Sequence, residues 1–543
     1  MKKIFIISTL LIAISVPSFA QMVPIWNNIT TYGEQSNLYT HDVVLDDSSN
    51  VYTLCDVTGY PFGDNSATSW FDPVLHKVSK TGETLWHVKF GTMQWEEEGA
   101  YGMKIKGNSI YVYCGRADVS DSLRYQSLIK LNTNGEIQWI KRVNNFHTFG
   151  ISQLSPKVEL DSSGNIFVNA YSGNRNNKVV YKFSPEGVML DSIAALQSGL
   201  NHSIENFIIL KGNKLFAFLE PYLAGGFYAA LYDSSGALTW KTQIAYGILP
   251  NLQMSNDNSL YISFYTSIPL WYYASNVLKL DMNGSLLWSK ELIGPRDLYS
   301  NDYYPTSRIL IPSDNNPVLV CNALYNNNGD GNSIYLCKLN GQTGDSMWVY
   351  KSAFKAEVTS AVIDNNSNIY VLGFLRYTSI ENESYSIYKF SSGGNLLRAT
   401  PNNGYLSTPL VPVSIAINKS NDIFVSGYNN PFTDSRSITL RYSQPVNISP
   451  SANELPNNFS LSQNYPNPFN PVTVISFQLP VAGNTAIKVY DINGREVSEL
   501  VNENLQAGEY KVDFNASYLP SGMYFYKLTS GNFSETKKMI LIK

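Results

Sequence analysis

Charge is scarce in this chain. Only 15% of its 543 residues are Asp, Glu, Lys or Arg, and they leave a formal net charge of −4. An ordinary soluble protein carries roughly 25%. This balance excludes the basic field that holds nucleic acid and gives no strongly acidic tail. The four cysteines (Cys55, Cys114, Cys321, Cys337) show no C-x-x-C spacing, which argues against a zinc site. Cys321 and Cys337 fall on two strands expected to be neighbours in one hairpin, so the sequence allows either a bridge or four small buried hydrophobes. The five histidines (His41, His76, His87, His147, His202) are scattered and form no H-E-x-x-H. No G-x-S-x-G elbow, Walker loop or dinucleotide fingerprint occurs either, and catalysis draws no support from motifs. The apolar run Ile4 to Val16 is too short to span a bilayer as a stable helix.

That run follows Met1-Lys-Lys and leads to Ser18-Phe-Ala20 before Gln21, the layout of a secretory signal peptide over residues 1–20 cleaved between Ala20 and Gln21. The expected route is out of the cytoplasm through the Sec export machinery. No cysteine follows the cleavage point, so no lipid anchor is expected there.

Aromatic residues are plentiful at 13%, with 37 Tyr, and they sit among many Asn, Ser and Gly. Such a mixture favours strands and turns over helices. A strand–turn–strand sentence recurs along the chain. Val277-Leu-Lys-Leu-Asp-Met-Asn-Gly-Ser-Leu-Leu-Trp288 is its clearest form, and the segments ending at Trp86, Trp139 and Trp240 repeat it. In each the turn glycine precedes the Trp by four residues, as Gly344 precedes Trp348; Asp191 and Arg398 replace the Trp in two weaker copies. A hairpin returning about every fifty residues is the signature of a propeller or repeat array. Eight strand-rich units can be laid out over residues 21–442, and the expected fold class is all-β: an eight-bladed β-propeller, with seven blades as the alternative. The eighth unit, Val413 to Tyr442, lacks its Trp strand. Val23-Pro-Ile-Trp26-Asn-Asn-Ile29 supplies an orphan copy, so the N-terminus is expected to close the ring.

Residues 443–459 form a Pro-containing linker. Beyond it, Ile475/Phe477/Leu479 and Tyr510/Val512/Phe514 alternate with period two, as in a small immunoglobulin-like β-sandwich. Residues 460–543 also carry Asn464-Tyr465-Pro466-Asn-Pro468-Phe469, Val489-Tyr-Asp-Ile-Asn-Gly494, Leu505-Gln-Ala-Gly508, Leu519-Pro-Ser-Gly522 with Tyr524, and Lys537-Lys538-Met-Ile-Leu-Ile-Lys543. These motifs, in this order, resemble the C-terminal sorting domain of type IX secretion cargo. The resemblance implies export through an outer-membrane translocon, with the cargo released or held at the cell surface. Residues 22–442 resemble, in architecture, the pyrroloquinoline-quinone-type and related propellers, in which a turn glycine followed by Trp docks neighbouring blades. The vicinal cysteine pair of the quinone dehydrogenases is not present, so that resemblance implies no oxidoreductase.

Trp26, Trp86, Trp139, Trp240, Trp288 and Trp348 are therefore expected to pack blade on blade rather than to hold a ligand. No metal or cofactor is expected. Calcium is the one candidate, through turns such as Asp161–Asn165, although most such turns satisfy their own backbone. One end of the ring should have uniformly short turns and the other long, varied loops, and a binding surface is expected on the latter. Its candidate residues are Trp70, Phe71, Trp95, Trp271, Tyr272 and Tyr273. The favoured function is a non-catalytic binding protein for a glycan or protein ligand. The alternatives are a polysaccharide hydrolase or lyase using loop carboxylates such as Glu97, Asp118 or Asp121, and a structural envelope or adhesion component.

Overall fold

The computed structural model describes residues 24–30, 36–59, 72–90, 99–118, 123–146, 157–171, 178–194, 202–221, 226–244, 248–268, 272–293, 307–324, 332–352, 355–375, 384–401, 410–429, 436–442, 456–470, 472–505, 507–516 and 519–542. They form strands only, β1 to β39 in chain order. The chain divides into two compact units, one holding Met22–Leu397 and Pro401–Gln444, the other Pro445–Lys543. Ala20 and Gln21, between which cleavage is expected, lie outside the described residues.

The first unit is a β-propeller, and its described residues form eight four-stranded antiparallel sheets. Seven of them use four consecutive strands each, from β2 (Ser36–Leu45) to β29 (Leu396–Pro401). The eighth is made of β1 (Pro24–Thr30), β32 (Ser437–Tyr442), β31 (Ile423–Asn429) and β30 (Leu410–Ile417) in that order, so that β1 pairs with β32 and Trp26 lies opposite Arg441. The first strand of each sheet touches the first strand of the next: β2 (Ser36–Leu45), β6 (Gly99–Lys106), β10 (Val158–Leu160), β14 (His202–Ile209), β18 (Ile248–Met254), β22 (Ser307–Leu310), β26 (Glu357–Ile363), β30 (Leu410–Ile417), and back to β2. The contacts close a ring, and these eight strands are its inner wall.

Sequence dictates the turns. Asp281 accepts the N–H groups of Asn283 and Ser285 on its Oδ1 at 2.9 and 2.8 Å, while Gly284 takes φ +84°. A carboxylate at the start and a left-handed residue before the second strand produce the bulged turn that returns the chain. Apolar residues from both faces of each sheet then pack against the adjoining sheets, as in the cluster of Tyr261, Val277, Trp288, Ile309, Leu319, Cys321 and Cys337. All four cysteines are buried thiols outside any disulfide. Cys321 lies opposite Tyr335 and Cys337 opposite Leu319, so the two thiols sit on a diagonal; Cys321 meets Ser275 and Cys337 meets Ser346 instead of each other.

The second unit has a three-stranded sheet, β33 (Ser460–Leu461), β34 (Val472–Leu479) and β37 (Gly508–Asn515), and a four-stranded one in the order β36-β35-β38-β39. The latter comprises Glu496–Leu505, Gly483–Tyr490, Gly522–Ser530 and Phe533–Leu541. Alternate residues of both sheets (Ile475, Phe477, Val512, Ile487, Val489, Leu528, Met539) meet in one core. Asn464 is buried there: its N–H donates to Tyr526 Oη at 2.8 Å and its Nδ2 to Thr473 Oγ1 at 2.9 Å. The peptide bonds before Pro466 and Pro468 are cis. Phe469, also buried, bridges to the last strand through Phe469 N to Ile540 O and Ile542 N to Phe469 O, both 2.9 Å. Gly494 closes the Asp491–Arg495 turn at φ +77°, while Gly508 and Gly522 open β37 and β38. Lys537 pairs with Glu535 at 3.0 Å and the Lys538 carbonyl accepts Gln463 Nε2 at 2.7 Å. Tyr465, by contrast, is 81% exposed.

Candidate functional site

The repeated tryptophans lie between sheets. Each indole covers the turn glycine of the following sheet: Trp86 on Gly135, Trp139 on Gly187, Trp240 on Gly284, Trp288 on Gly344, Trp348 on Gly394. A Cβ on Gly344 would stand 2.8 Å from Trp288 Cδ2, and one on Gly284 2.5 Å from Trp240 Cδ2, so only glycine fits beneath the ring. The side chain of Trp26 is not among those described. In its strand, Asn28 Nδ2 donates to Gly82 O of the first sheet at 3.0 Å.

A lysine joins four of these indoles, while Trp240 Nε1 donates alone to Met282 O at 2.8 Å. Trp86 Nε1 and Lys77 Nζ both donate to Thr133 O, at 3.2 and 2.7 Å. Trp139 and Lys130 converge on Pro185 O, Trp288 and Lys279 on Gly341 O, and Trp348 and Lys338 on Ser392 O. The lysines also lie over aromatic rings of their own sheets, Lys77 over Tyr52 at 5.1 Å and Lys279 over Tyr261 at 5.5 Å. Two donors on one carbonyl, with the cation over a ring, form a clamp between sheets. Its signal was present in the sequence: Lys77, Lys130 and Lys279 stand nine residues before Trp86, Trp139 and Trp288. The tryptophans and lysines hold the ring together and leave its centre to other residues.

That centre is polar. Inner strands carry bulges between Thr40 and Asp42, Ala100 and Gly102, Ile204 and Asn206, Ile248 and Asn251, Val358 and Ser360, and Pro412 and Ser414. A bulge re-aims the residues beside it. After each comes a core residue such as Val43, Met103, Phe207 or Leu252, and Lys157 and Arg308 hold the matching place before Val158 and Ile309. Five of these belt residues bond to the inner strand of the next sheet or its approach. Asp42 Oδ2 accepts Met103 N at 3.2 Å, and Lys157 Nζ donates to Phe207 O at 2.8 Å. Asn206 Nδ2 donates to Pro250 O at 2.6 Å, Asn251 Oδ1 accepts Ile309 N at 3.1 Å, and an Arg308 Nη donates to Thr359 O at 3.3 Å.

Charge gathers on one arc of this belt. Glu159 is shared by Lys104 at 3.2 Å and Lys157 at 3.1 Å. Asp42 feels both Lys104 and Arg308, although Arg308 belongs to the sixth sheet and Asp42 to the first, so that interaction crosses the ring. Burial pushes the Asp42 carboxyl above the ordinary carboxylate range, against the Met103 N–H and the two cations. Burial likewise lowers Lys157 and Arg308, opposed by Glu159 and Asp42 respectively. His41, at the first bulge, bonds Asp56 Oδ2 at 2.6 Å while Ala100 N donates to the other Asp56 oxygen at 2.8 Å. Burial would lower the His41 pKa, but Asp56 and the charge of Asp42 outweigh it and raise the imidazole.

Of the residues proposed from sequence, Trp70, Phe71, Trp95 and Trp271 lie outside the described residues, as do Glu97 and Asp121. Tyr272 and Tyr273 are not in a loop, as expected, but open strand β20 (Tyr272–Leu280), opposite Ile268 and Ser267 of β19 (Leu260–Ile268). The strand runs on because the ladder to β19 continues past the core, which shortens the loop to residues 269–271. Asp118 ends β7 (Ser109–Asp118) opposite Leu123. Among the described residues no cluster of three or more His, Cys, Asp or Glu is placed to hold a metal. Both Asp161 oxygens are engaged by Asn165 of their own turn, each at 2.8 Å. Among the described residues no helix is long and apolar enough to cross a membrane.

Residues 463–543 match the model of the secretion system C-terminal sorting domain. The chain thus carries a type IX sorting domain and is a secreted or cell-surface protein. No curated protein matches it. Among solved structures it is similar to the β-propeller domain of the Trilobed protease from Pyrococcus furiosus, at 10% identity and a TM-score of 0.40, covering 63% of this chain and 93% of that one. A protein of unknown function from Dyadobacter fermentans is similar at 11% identity and a TM-score of 0.38, covering 78% of this chain and 100% of that one. A polysaccharide lyase, the PL25 ulvan lyase, is similar at 10% identity and a TM-score of 0.42, covering 76% and 96%. At these values none of the likenesses carries an activity over to this chain.

Proposed function

We propose that this secreted or cell-surface chain is an eight-bladed β-propeller followed by an immunoglobulin-like sorting sandwich, and that it binds an extracellular glycan or protein without turning it over. Its signal peptide directs it to the Sec machinery and its C-terminal domain to the type IX translocon. It needs no cofactor in this role. The observation that supports the reading is the inequality of the two ends of the ring. At one end the strands are joined by turns such as 46–50, 132–136, 161–165, 281–285 and 364–368. At the other end the connections include 60–71, 147–157 and 294–306 beside 269–271. Variable connections on a rigid ring are where recognition usually resides. Trp70, Trp95 and Trp271 fall within or beside these connections, and flat rings next to Asn and Asp suit sugar faces and edges.

The test is a screen of the purified chain against glycans and envelope polymers, with Trp70→Ala and Trp271→Ala beside it. Each substitution should weaken binding about tenfold, the effect of losing a contact near 1.4 kcal/mol, and leave the melting temperature unchanged. Release of shorter saccharides from a polymer would overturn the reading in favour of a hydrolase or lyase. Lost stability with unaltered binding would make these residues packing anchors.

A further inference from the structure

The charges at the ring centre do not cancel. Lys104 and Lys157 both pair with Glu159, and Lys104 and Arg308 both act on Asp42, so three cations share two carboxylates. Lys104 and Lys157 draw on the same carboxylate, and Lys104 shares Asp42 with Arg308. The Arg308 guanidinium is used sparingly. It has five N–H donors, one Nη reaches Thr359 O at 3.3 Å, and its Nε is buried with no hydrogen-bond partner. An unmet buried donor is costly unless something supplies an oxygen, and cations that outnumber their carboxylates favour one that carries negative charge. The Lys104 side chain is 40% exposed and that of Lys157 29%, which leaves room for a ligand to approach.

We propose that the ring centre binds an oxyanion, a carboxylate or sulfate group, held by Arg308, Lys104 and Lys157. Arg308 offers a planar fork matched to two oxygens of such a group. The lysines supply point charges from the second sheet and the approach to the third. Asp42 and Glu159 set the limit, since they compete with the ligand for the same cations. This site goes beyond the loop-end binding reading and does not depend on it. The oxyanion could arrive as a free inorganic ion or as the acidic group of a sugar, and the chemistry of capture is shared.

The test is thermal unfolding and calorimetry of the full chain with sodium sulfate, sodium D-glucuronate or neutral glucose, at ionic strength held constant with sodium chloride. Sulfate or glucuronate should bind saturably and glucose should not. Stronger binding of sulfate assigns the site to a free ion, and stronger binding of glucuronate to an acidic sugar. Lys104→Gln should weaken binding about tenfold, the scale of one charge-assisted hydrogen bond, and Arg308→Gln at least as much. Glu159→Gln should tighten it, a gain that a misfolded variant cannot imitate. No saturable response to either anion would overturn the proposal, as would equal affinity in wild type, Lys104→Gln and Glu159→Gln.

Discussion

Gly344→Ala tests how neighbouring sheets are joined. Gly344 sits at φ +73°, a conformation that costs an alanine about 1–2 kcal/mol. Its added methyl would also stand 2.8 Å from Trp288 Cδ2 and 2.9 Å from Cε3. Forcing the indole away adds about 1–3 kcal/mol, as overpacking usually does. Trp288 cannot retreat freely: it is 8% exposed, donates to Gly341 O at 3.2 Å, and packs edge-on to Tyr261 at 5.8 Å. The single substitution should therefore cost ~2–5 kcal/mol by the sum of these terms. Trp288→Ala alone should cost ~3–5 kcal/mol, the usual range for truncating a buried Trp. In the Trp288→Ala background the indole is gone, and Gly344→Ala should then cost only the ~1–2 kcal/mol of its backbone conformation. The assay is a double-mutant cycle by urea denaturation followed by far-UV circular dichroism, because losing a Trp alters fluorescence. Gly164→Ala is the control: it too has a positive φ (+86°), but its nearest neighbour is Pro185 Cγ at 3.5 Å. It should show the backbone cost alone and no coupling to Trp288. Equal cost of Gly344→Ala in both backgrounds would refute the reasoning.

Lys279→Met should lower stability by about 1–3 kcal/mol, because a buried charge-assisted bond to Gly341 O is lost; an unchanged calorimetric transition would remove the lysine from the clamp. His41 has a folded-state pKa raised above its unfolded value near 6.5, so its stabilisation is fully present below that pH and is lost as pH rises through the folded pKa. The melting temperature of wild type minus that of His41→Gln should thus shrink from pH 5.5 to pH 8, and a constant difference would contradict this. Deleting residues 21–30 removes β1 and bares the edge of β32, so the protein should melt lower or aggregate in light scattering; parental melting would count against closure of the ring by this strand. Removing residues 460–543 should leave the melting of the ring unchanged and hold the protein in the periplasm, and surface delivery on fractionation would disprove the assigned address.

Local chemistry was legible in the sequence because it is local. A carboxylate that bonds the backbone N–H groups two and four residues on, followed by a residue tolerating positive φ, specifies a turn without help from the rest of the chain. Asp281 to Ser285 and Asp364 to Asn368 do this. The orphan strand around Trp26 was legible for a related reason, since a repeat lacking one strand signals where its complement must go. The sorting motifs were legible as a linear series.

Tertiary structure decided two things that no local rule contains. The first is why the turn before each last strand keeps glycine. Positive φ alone does not demand it, for Ser49, Asn258, Ser367 and Asn421 adopt φ of +61 to +64° in the other set of turns. At Gly135, Gly187, Gly284, Gly344 and Gly394 the indole of the preceding sheet demands it, and that ring lies some fifty residues away in the chain. The second is the charged centre. Asp42, Lys104, Glu159 and Arg308 are separated by tens to hundreds of residues and share no motif, so nothing in sequence marks them as partners. Only the curvature that brings eight inner strands around one axis sets Arg308 opposite Asp42 and makes two lysines share one carboxylate.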